Sequence, residues 1–368
     1  MADKKPTLDK LRQQIDAVDE QIHDLLNDRA NMAQQVAEVK QQEATAKGDK
    51  NIRFYRPERE AQVLRKVKQR NSGPLPDNAV AHIFREIMSA CLALEKPMSV
   101  AYLGPEGTFT HAAAIKHFGH AVLANPVNTI GQVFAEVETG EAVYGVVPVE
   151  NSTEGMVNHT LDNFMQSPLT ICGEVELPIH LHLLINKKTE PGLIRKICAH
   201  QQALAQSRAW LDNHWPGVER EAVSSNAKAA RIAAEDNTVA AIAGDMAVDL
   251  YDLVKVSENI QDLSQNSTRF LIIGRENIDP SGHDKTSVII STHNKPGALY
   301  KLLEPFHRES IMLTRIDTRP SRTENWAYVF FIEFEGHQQD ERIKKVLAEL
   351  KEQSMMLKSL GSYPKAVI

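Results

Sequence analysis

The chain has 368 residues, 42% of them apolar and 24% charged, with a net charge of −6. That length predicts two or three domains, and that balance excludes collagen-like and disordered classes. Charges of both signs are spread along the chain, so neither nucleic acid nor an anionic membrane surface is an expected partner, and no apolar run approaches the roughly 20 residues needed to span a bilayer. The N-terminal segment, Met1 to Lys10, is polar and lacks the apolar stretch of a secretory signal. Cys91, Cys172 and Cys198 are odd in number and far apart, which fits a reduced cytoplasm better than a disulfide scaffold or a zinc cluster.

Residues 1–96 read as all helix. Leu8, Leu11, Ile15, Val18, Ile22, Leu25, Arg29, Met32, Val36 and Val39 step by 3 and 4, the spacing of one long coiled-coil seam. Gly48-Asp49 punctuates a loop. A second helix starts near Pro57, a residue suited to a first turn, and ends at Ser72-Gly73-Pro74. A third follows Asp77 and stops before Pro97. Two shorter helices cannot cover the long seam, so self-association into at least a dimer is expected.

Residues 97–280 alternate short apolar runs with helical patterns. Strands are expected at 99–103, 143–147, 170–174, 181–185 and 239–243, and helices at 111–118, 129–138, 203–213 and 227–235. Such alternation predicts a mostly parallel α/β sheet in two lobes. Residues 285–368 read strand, helix, strand, strand, helix, strand, the α+β ferredoxin-like order.

Several charges in the helical block face inward. Arg29 occupies a seam position, where a lone arginine can simply snorkel to solvent. Lys40 follows three turns later on nearly the same face, Glu95 lies one turn after Cys91 on the third helix, and Arg59-Glu60 opens the second. Charges aimed at one interior are costly without a compensating ligand, and guanidinium groups favour carboxylates, which points to a small dianion. Arg12 precedes Arg29 by 17 residues, about 25 Å along a helix. If it serves the same site it comes from a second chain; otherwise it is a surface charge.

The runs Leu11-Arg12, Leu25-Leu26-Asn27-Asp28-Arg29, Val39-Lys40, Arg56-Pro57-Glu58-Arg59-Glu60 and Phe84-Arg85-Glu86-Ile87-Met88-Ser89-Ala90-Cys91, with Glu95, resemble the all-helical chorismate mutases. The resemblance implies an intertwined homodimer that clamps the two carboxylates of chorismate with Arg12 from the partner, Arg29 and Arg59. It also places Lys40 and Glu95 at the ether oxygen and Glu60 at a ring hydroxyl. Cys91 and Arg56 stand at substrate-contacting positions where relatives carry Ser and an acidic residue.

In the α/β block, the loops at Gly104-Pro105-Glu106-Gly107-Thr108, Glu150-Asn151-Ser152-Thr153-Glu154-Gly155 and Ser224-Ser225-Asn226 each follow a strand and are expected to open a helix, offering N–H groups to a carboxylate. One such loop is usually just a cap; three suggest a cleft. None is a GxGxxG or a P-loop, so no nucleotide is expected. Together with His200-Gln201-Gln202-Ala203-Leu204-Ala205-Gln206 and Asn266-Ser267-Thr268-Arg269-Phe270, these runs are similar to prephenate dehydratases. The resemblance implies two lobes like a type 2 periplasmic binding protein and no cofactor. Thr268 would be the catalytic hydroxyl, Asn151 and Gln206 its polar partners, and Thr108, Ser152, Thr153, Ser224, Ser225 and Asn226 substrate contacts. His111, His117, His120, His180 and His182 suggest a metal, with His180 and His182 expected on one strand face, but no carboxylate or Cys stands at ligand spacing, and no metal is expected.

Asn294-Lys295-Pro296-Gly297-Ala298-Leu299 and Asp317-Thr318-Arg319-Pro320 resemble the effector motifs of ACT regulatory domains attached to prephenate dehydratases. That implies phenylalanine bound near Asn294, Gly297, Ala298, Leu299, Asp317, Arg319 and Pro320. The combined reading is a bifunctional enzyme of phenylalanine synthesis. Its rivals are a dehydratase that takes arogenate and a non-catalytic amino-acid sensor with the same fold.

Overall fold

The computed structural model describes residues 7–48, 53–292, 295–320 and 328–368. Helix α1 (Leu8–Lys47) runs for 40 residues and ends on Gly48, whose φ of 68° is left-handed. Helices α2 (Pro57–Arg70) and α3 (Asp77–Glu95) pack on each other, and α3 also packs on α1. Along α1 only Ala44 is buried. The seam residues Ile15, Val18, Ile22, Leu25, Met32, Val36 and Val39 are all exposed within the protomer.

The α/β block has two sheets. The first orders β2 (Leu123–Val127), β1 (Ser99–Leu103), β3 (Tyr144–Asn151), β11 (Ser267–Gly274) and β5 (Thr170–Pro178), with β4 (Gly155–Met156) beside β3. The second orders β10 (Leu253–Ser257), β6 (His182–Asn186), β9 (Val239–Ala243), β7 (Lys196–His200) and β8 (Glu219–Val223). The expected mostly parallel arrangement is corrected here: β1, β2 and β3 are parallel, as are β7, β8 and β9, but β11 is antiparallel to β3 and β5, and β6 is antiparallel to β9 and β10. The chain crosses between lobes twice, after β5 and after β10. The returning segment enters the first sheet reversed, and β6 runs against both its neighbours in the second, so both sheets are mixed.

Helices α4 (Phe109–Phe118), α5 (Ile130–Thr139) and α6 (Asn158–Gln166) flank the first sheet. Helices α7 (Gln201–Gln206), α8 (Arg208–His214), α9 (Asn226–Glu235) and α10 (Asp245–Leu250) flank the second, and the helix expected at 203–213 is split at Ser207 into α7 and α8. In the C-terminal block, β12 (Asp284–Thr292), α11 (Ala298–Arg308), β13 (Leu313–Pro320), β14 (Tyr328–Glu335), α12 (Glu341–Gln353) and β15 (Met356–Pro364) form an antiparallel sheet ordered β13-β14-β12-β15.

The blocks share cores. Ile289, Val329, Phe331, Leu360 and Tyr363 of the C-terminal sheet pack with Val147, Val149, Leu161, Phe164, Ile171 and Leu271 of the first lobe. Sheet therefore meets sheet directly, with helices α11 and α12 on the outer face. On the opposite side Tyr55, just before α2, enters the core of Phe118, Tyr144 and Ile272. Its ring lies 5.4 Å from Tyr144 and 5.6 Å from Phe118, and its hydroxyl is 3.2 Å from His117 Nε2.

Tyr55 is thus the pin that seats the helical block on the α/β block. Tyr55→Ala deletes a buried aromatic and should lower stability by about 3 kcal/mol, read as an earlier denaturant midpoint. A loss below about 1 kcal/mol would show that the ring does not hold the blocks together.

Candidate active sites

In the helical block, α1 and α3 bring Lys40 and Glu95 together. Lys40 Nζ lies 3.5 Å from Glu95 Oε2 and donates to Phe54 O at 3.0 Å. Glu95 Oε2 is buried and accepts no hydrogen bond among the described residues. Cys91 is buried one turn earlier on α3. Arg29 is half-buried, while Arg12 and Arg59 are exposed. Among the described residues none of these three arginines has an ion-pair partner. Unpaired guanidinium groups leave positive charge for an anion to meet.

Two further expected members, Arg56 and Glu60, are held by partners of their own. Arg56 pairs with Glu58 at 2.6 Å and Asp279 at 3.5 Å, toward the segment leading into β12. Glu60 meets Arg85 at 3.3 Å, and Arg85 donates to Lys116 O and His117 O at 2.9 and 2.6 Å. Burial raises the Glu60 carboxyl above its usual range, and Arg85 offsets part of that. Burial lowers the His117 imidazole well below its usual value, and Arg85 adds to this. Glu60 therefore meets Arg85 at the contact between helical and α/β blocks.

Between the two lobes lies a cavity of about 300 Å³, lined by Thr108, Asn151, Gln206, Ser224, Ser225, Asn226 and Thr268 among others. Asn151 is its hub. Its Nδ2 donates to Thr268 Oγ1 at 2.9 Å and to Asn266 Oδ1 at 3.0 Å. Its Oδ1 accepts from Thr153 Oγ1 at 2.6 Å and from the backbone N–H groups of Thr153 and Glu154 at 3.0 and 3.2 Å. Gln206, from the other lobe, donates to Thr153 Oγ1 at 3.1 Å and accepts from Asn266 Nδ2 at 3.1 Å.

Local chain chemistry explains the placement. Asn151 and Thr268 are direct partners across β3 and β11, and the register slips immediately beyond Arg269. A bulge at that point re-aims side chains, as bulges near sites commonly do. Thr108 caps α4 by accepting from His111 N at 3.3 Å, and Ser225 caps α9 by accepting from Lys228 N at 3.0 Å. Asn226 Oδ1 accepts from His200 N at 2.8 Å.

The expectation that Glu150–Gly155 opens a helix is corrected. The run ends β3 and turns into β4, and α6 begins only at Asn158. The Asn151 amide organises that turn, and Ser152 ties it to β11 by accepting from Ser267 N at 3.0 Å.

Asn266 is the residue that sequence reasoning left out of the site, although it stands in the quoted Asn-Ser-Thr-Arg-Phe run. It is buried and bridges the two lobes. The histidines have separate partners. His111 stacks on Tyr102 at 4.7 Å, His117 meets Tyr55, His120 meets Glu86 and His182 meets Asp245. His180 precedes β6, so the expected shared strand face with His182 is not formed. Among the described residues no group of three or more His, Cys, Asp or Glu is placed to hold a metal.

In the C-terminal block Gly297 has a φ of 81°, which precedes α11 and suits glycine. Ala298 and Leu299 open that helix, and Leu299 is exposed. Asp317 meets Arg315 at 3.4 Å, and Arg319 reaches Asp162 of α6 at 2.9 Å, so both lie on the side facing the first lobe. Pro320 ends β13. Asn294 lies outside the described residues.

Three family models match in chain order: Chorismate mutase type II over residues 11–96, Prephenate dehydratase over 100–278 and ACT domain over 286–352. A bifunctional chorismate mutase/prephenate dehydratase of Pseudomonas aeruginosa is 57% identical over 368 residues, covering 100% of both chains. One from Aquifex aeolicus is 47% identical over 365 residues, covering 98% of this chain and 99% of its own.

The chain belongs to the bifunctional chorismate mutase/prephenate dehydratases.

Like them it unites both enzyme activities with an ACT domain. Among solved structures, a prephenate dehydratase from Arthrobacter aurescens in complex with L-Phe superposes with a TM-score of 0.67 at 34% identity, covering 73% of this chain and 90% of its own. Among the described residues no helix is long and apolar enough to cross a membrane.

Asn266→Ala should leave the Asn151 amide and the Gln206 carbonyl each short of a partner. One unsatisfied buried group costs about 1–3 kcal/mol, so dehydratase activity should drop roughly tenfold or more while mutase activity on the same chain holds. Undiminished dehydratase turnover would remove Asn266 from the site.

Proposed function

We propose that Arg12 of one protomer joins Arg29 and Arg59 of its partner to hold the two carboxylates of chorismate. Lys40 and Glu95 then face the ether oxygen, where negative charge grows as the C–O bond breaks and the new C–C bond forms. The rearrangement needs no covalent intermediate, so catalysis is positioning plus electrostatic stabilisation. The buried Glu95 oxygen, 3.5 Å from Lys40 and accepting no hydrogen bond among the described residues, supports this role. The exposed apolar seam of α1 supports a second copy as its cover, because ten large apolar side chains between Leu8 and Val39 are otherwise left in water. Cys91 packs against the substrate. Glu60 and Arg56 act from the block contact, Glu60 by fixing the entry to α2.

In the cleft, prephenate loses CO₂ and its ring hydroxyl, and aromatisation drives the step. The observation that carries this reading is the Asn151–Thr268 pair at 2.9 Å facing the cavity. Asn151 Nδ2 donates to Thr268 Oγ1, so the Thr268 proton is free to point at the departing hydroxyl. Gln206 closes the network from the opposite lobe through Thr153. Thr108, Ser152, Ser224, Ser225 and Asn226 present hydroxyl, amide and backbone N–H groups to the substrate carboxylates. Phenylalanine binds the ACT domain near Asn294, Gly297, Ala298 and Leu299 and at Asp317, Arg319 and Pro320, and it biases the cleft between open and closed. A reduced cytoplasm suits the three free, buried cysteines.

Purified protein supplied with chorismate should accumulate phenylpyruvate, read by its absorbance. Thr268→Ala should stop the second step, by about 10²-fold or more, and prephenate should build up. Equal loss of both activities would contradict separate sites. Arg12→Ala and Arg29→Ala homodimers should each lack mutase activity, whereas mixed dimers should regain part of it through one intact site. Verified mixed dimers without recovery would refute the shared site.

A further inference from the structure

Successive residues of a strand point to opposite faces of its sheet. Asn151 and Thr268 face the cleft. Their neighbours Glu150 and Arg269 are again direct partners across β3 and β11, and both reach the opposite face, where the ACT sheet lies. Arg269 is nearly buried there. Its Nη1 donates to Glu333 of β14 at 2.6 Å and to Glu174 of β5 at 3.1 Å, and its Nε lies 3.7 Å from Glu150.

The cluster is closed by ACT residues. Lys285 of β12 meets Glu174 at 2.9 Å and Glu333 at 3.3 Å, and Arg315 of β13 pairs with Glu150. Three cations, Arg269, Lys285 and Arg315, thus meet four anions, Glu150, Glu174, Glu333 and, at the edge beside Arg315, Asp317. Glu333 is the best-held anion. It also accepts from Tyr363 Oη at 2.9 Å and Thr314 Oγ1 at 2.7 Å. Burial would raise its carboxyl, but Arg269 and Lys285 outweigh this and bring it to about 2. It therefore stays charged at working pH.

The geometry points to Glu333 as a positioning residue for the dehydratase reaction, supplied by the regulatory domain. It holds the Arg269 side chain, and so fixes the backbone of β11 one residue from Thr268 at the point where the strand bulges. Glu150, held by Arg315, does the same for Asn151 on β3. The ACT sheet is therefore one wall of the catalytic support. A shift of β13 or β14 moves Glu333 and Arg315, which changes the Thr268–Asn151 pair without any contact to substrate. Asp317 and Arg319 lie on the same strand as Arg315, so effector binding at β13 has a short route to the cleft. The inference rests on the reading of Thr268 and Asn151 as the reacting pair.

The test uses the full-length protein and compares Glu333→Gln, Glu333→Asp and Tyr363→Phe. Mutase turnover on the same preparation controls for the folded fraction. Glu333→Gln should lower dehydratase kcat about tenfold or more while KM for prephenate stays within about threefold. Glu333→Asp, which keeps the charge, should recover part of the rate. Tyr363→Phe removes one hydrogen bond to Glu333 and no charge, and should give a smaller loss of kcat in the same direction, which keeps the test informative if Glu333→Gln misfolds. Unchanged kcat in folded Glu333→Gln, or parallel loss of both activities, would overturn the assignment. Thr268→Ala run alongside separates the two levels: full activity there removes the reading of the site itself, whereas an inactive Thr268→Ala beside a normal Glu333→Gln removes only the positioning role.

Discussion

The whole arrangement depends on a set of buried charges that must stay paired. Arg269 sits between two sheets, with Glu174 and Glu150 on its own side and Glu333 on the other. Taking one partner from a buried pair leaves an uncompensated charge, at a cost of about 3–5 kcal/mol. The two sheets cannot separate or slide without meeting that cost, so the ACT domain is docked in one register. The same strands that carry Arg269 and Glu150 toward this contact carry Thr268 and Asn151 toward the cleft. Docking and catalytic geometry are therefore two faces of one strand pair.

That view changes how separable the regulatory domain is. By sequence, residues 285–368 form a self-contained ferredoxin-like unit. In the structure their inner sheet face, Ile289, Val329, Phe331 and Leu360, is shared core with the first lobe. Removing the domain would expose that face and strip Arg269 of Glu333. Lys358 reinforces the contact by donating to Phe164 O at 2.7 Å near the end of α6.

Periodicity made the three helices of the first block legible, because helix ends carry their own signals: Pro57 at a first turn, Asp77 at another and Gly48 at a left-handed stop. The C-terminal strand and helix order was equally plain. The central block was read less completely. Leu123–Val127, Glu219–Val223 and Leu253–Ser257 are edge strands with mixed polarity and lack the apolar pattern of a central strand, whereas Ser267–Gly274 does carry a buried apolar run, Phe270 to Ile273, behind its polar start. Antiparallel pairing of β11 is a consequence of the second crossover, which no local pattern records. At the site, Thr268, Asn151 and Gln206 are brought into one network. The Glu60–Arg85 pair and the bridging role of Asn266 are decided by packing between blocks and between lobes. Arg269 and Glu150 were visible as residues beside the motif, but their partners Glu333 and Arg315 come from a different block and have no signature of their own.

The central claim is that the state of the ACT domain is felt at the β3–β11 pair. Backbone hydrogen–deuterium exchange of the full-length protein, with and without phenylalanine, reads this directly. The account predicts changed exchange at residues 150–151 and 267–270 as well as within residues 285–368, and predicts that Glu333→Gln confines the change to the ACT domain. Phenylalanine that alters exchange only within residues 285–368 of the unmodified protein, while still inhibiting the dehydratase, would contradict it.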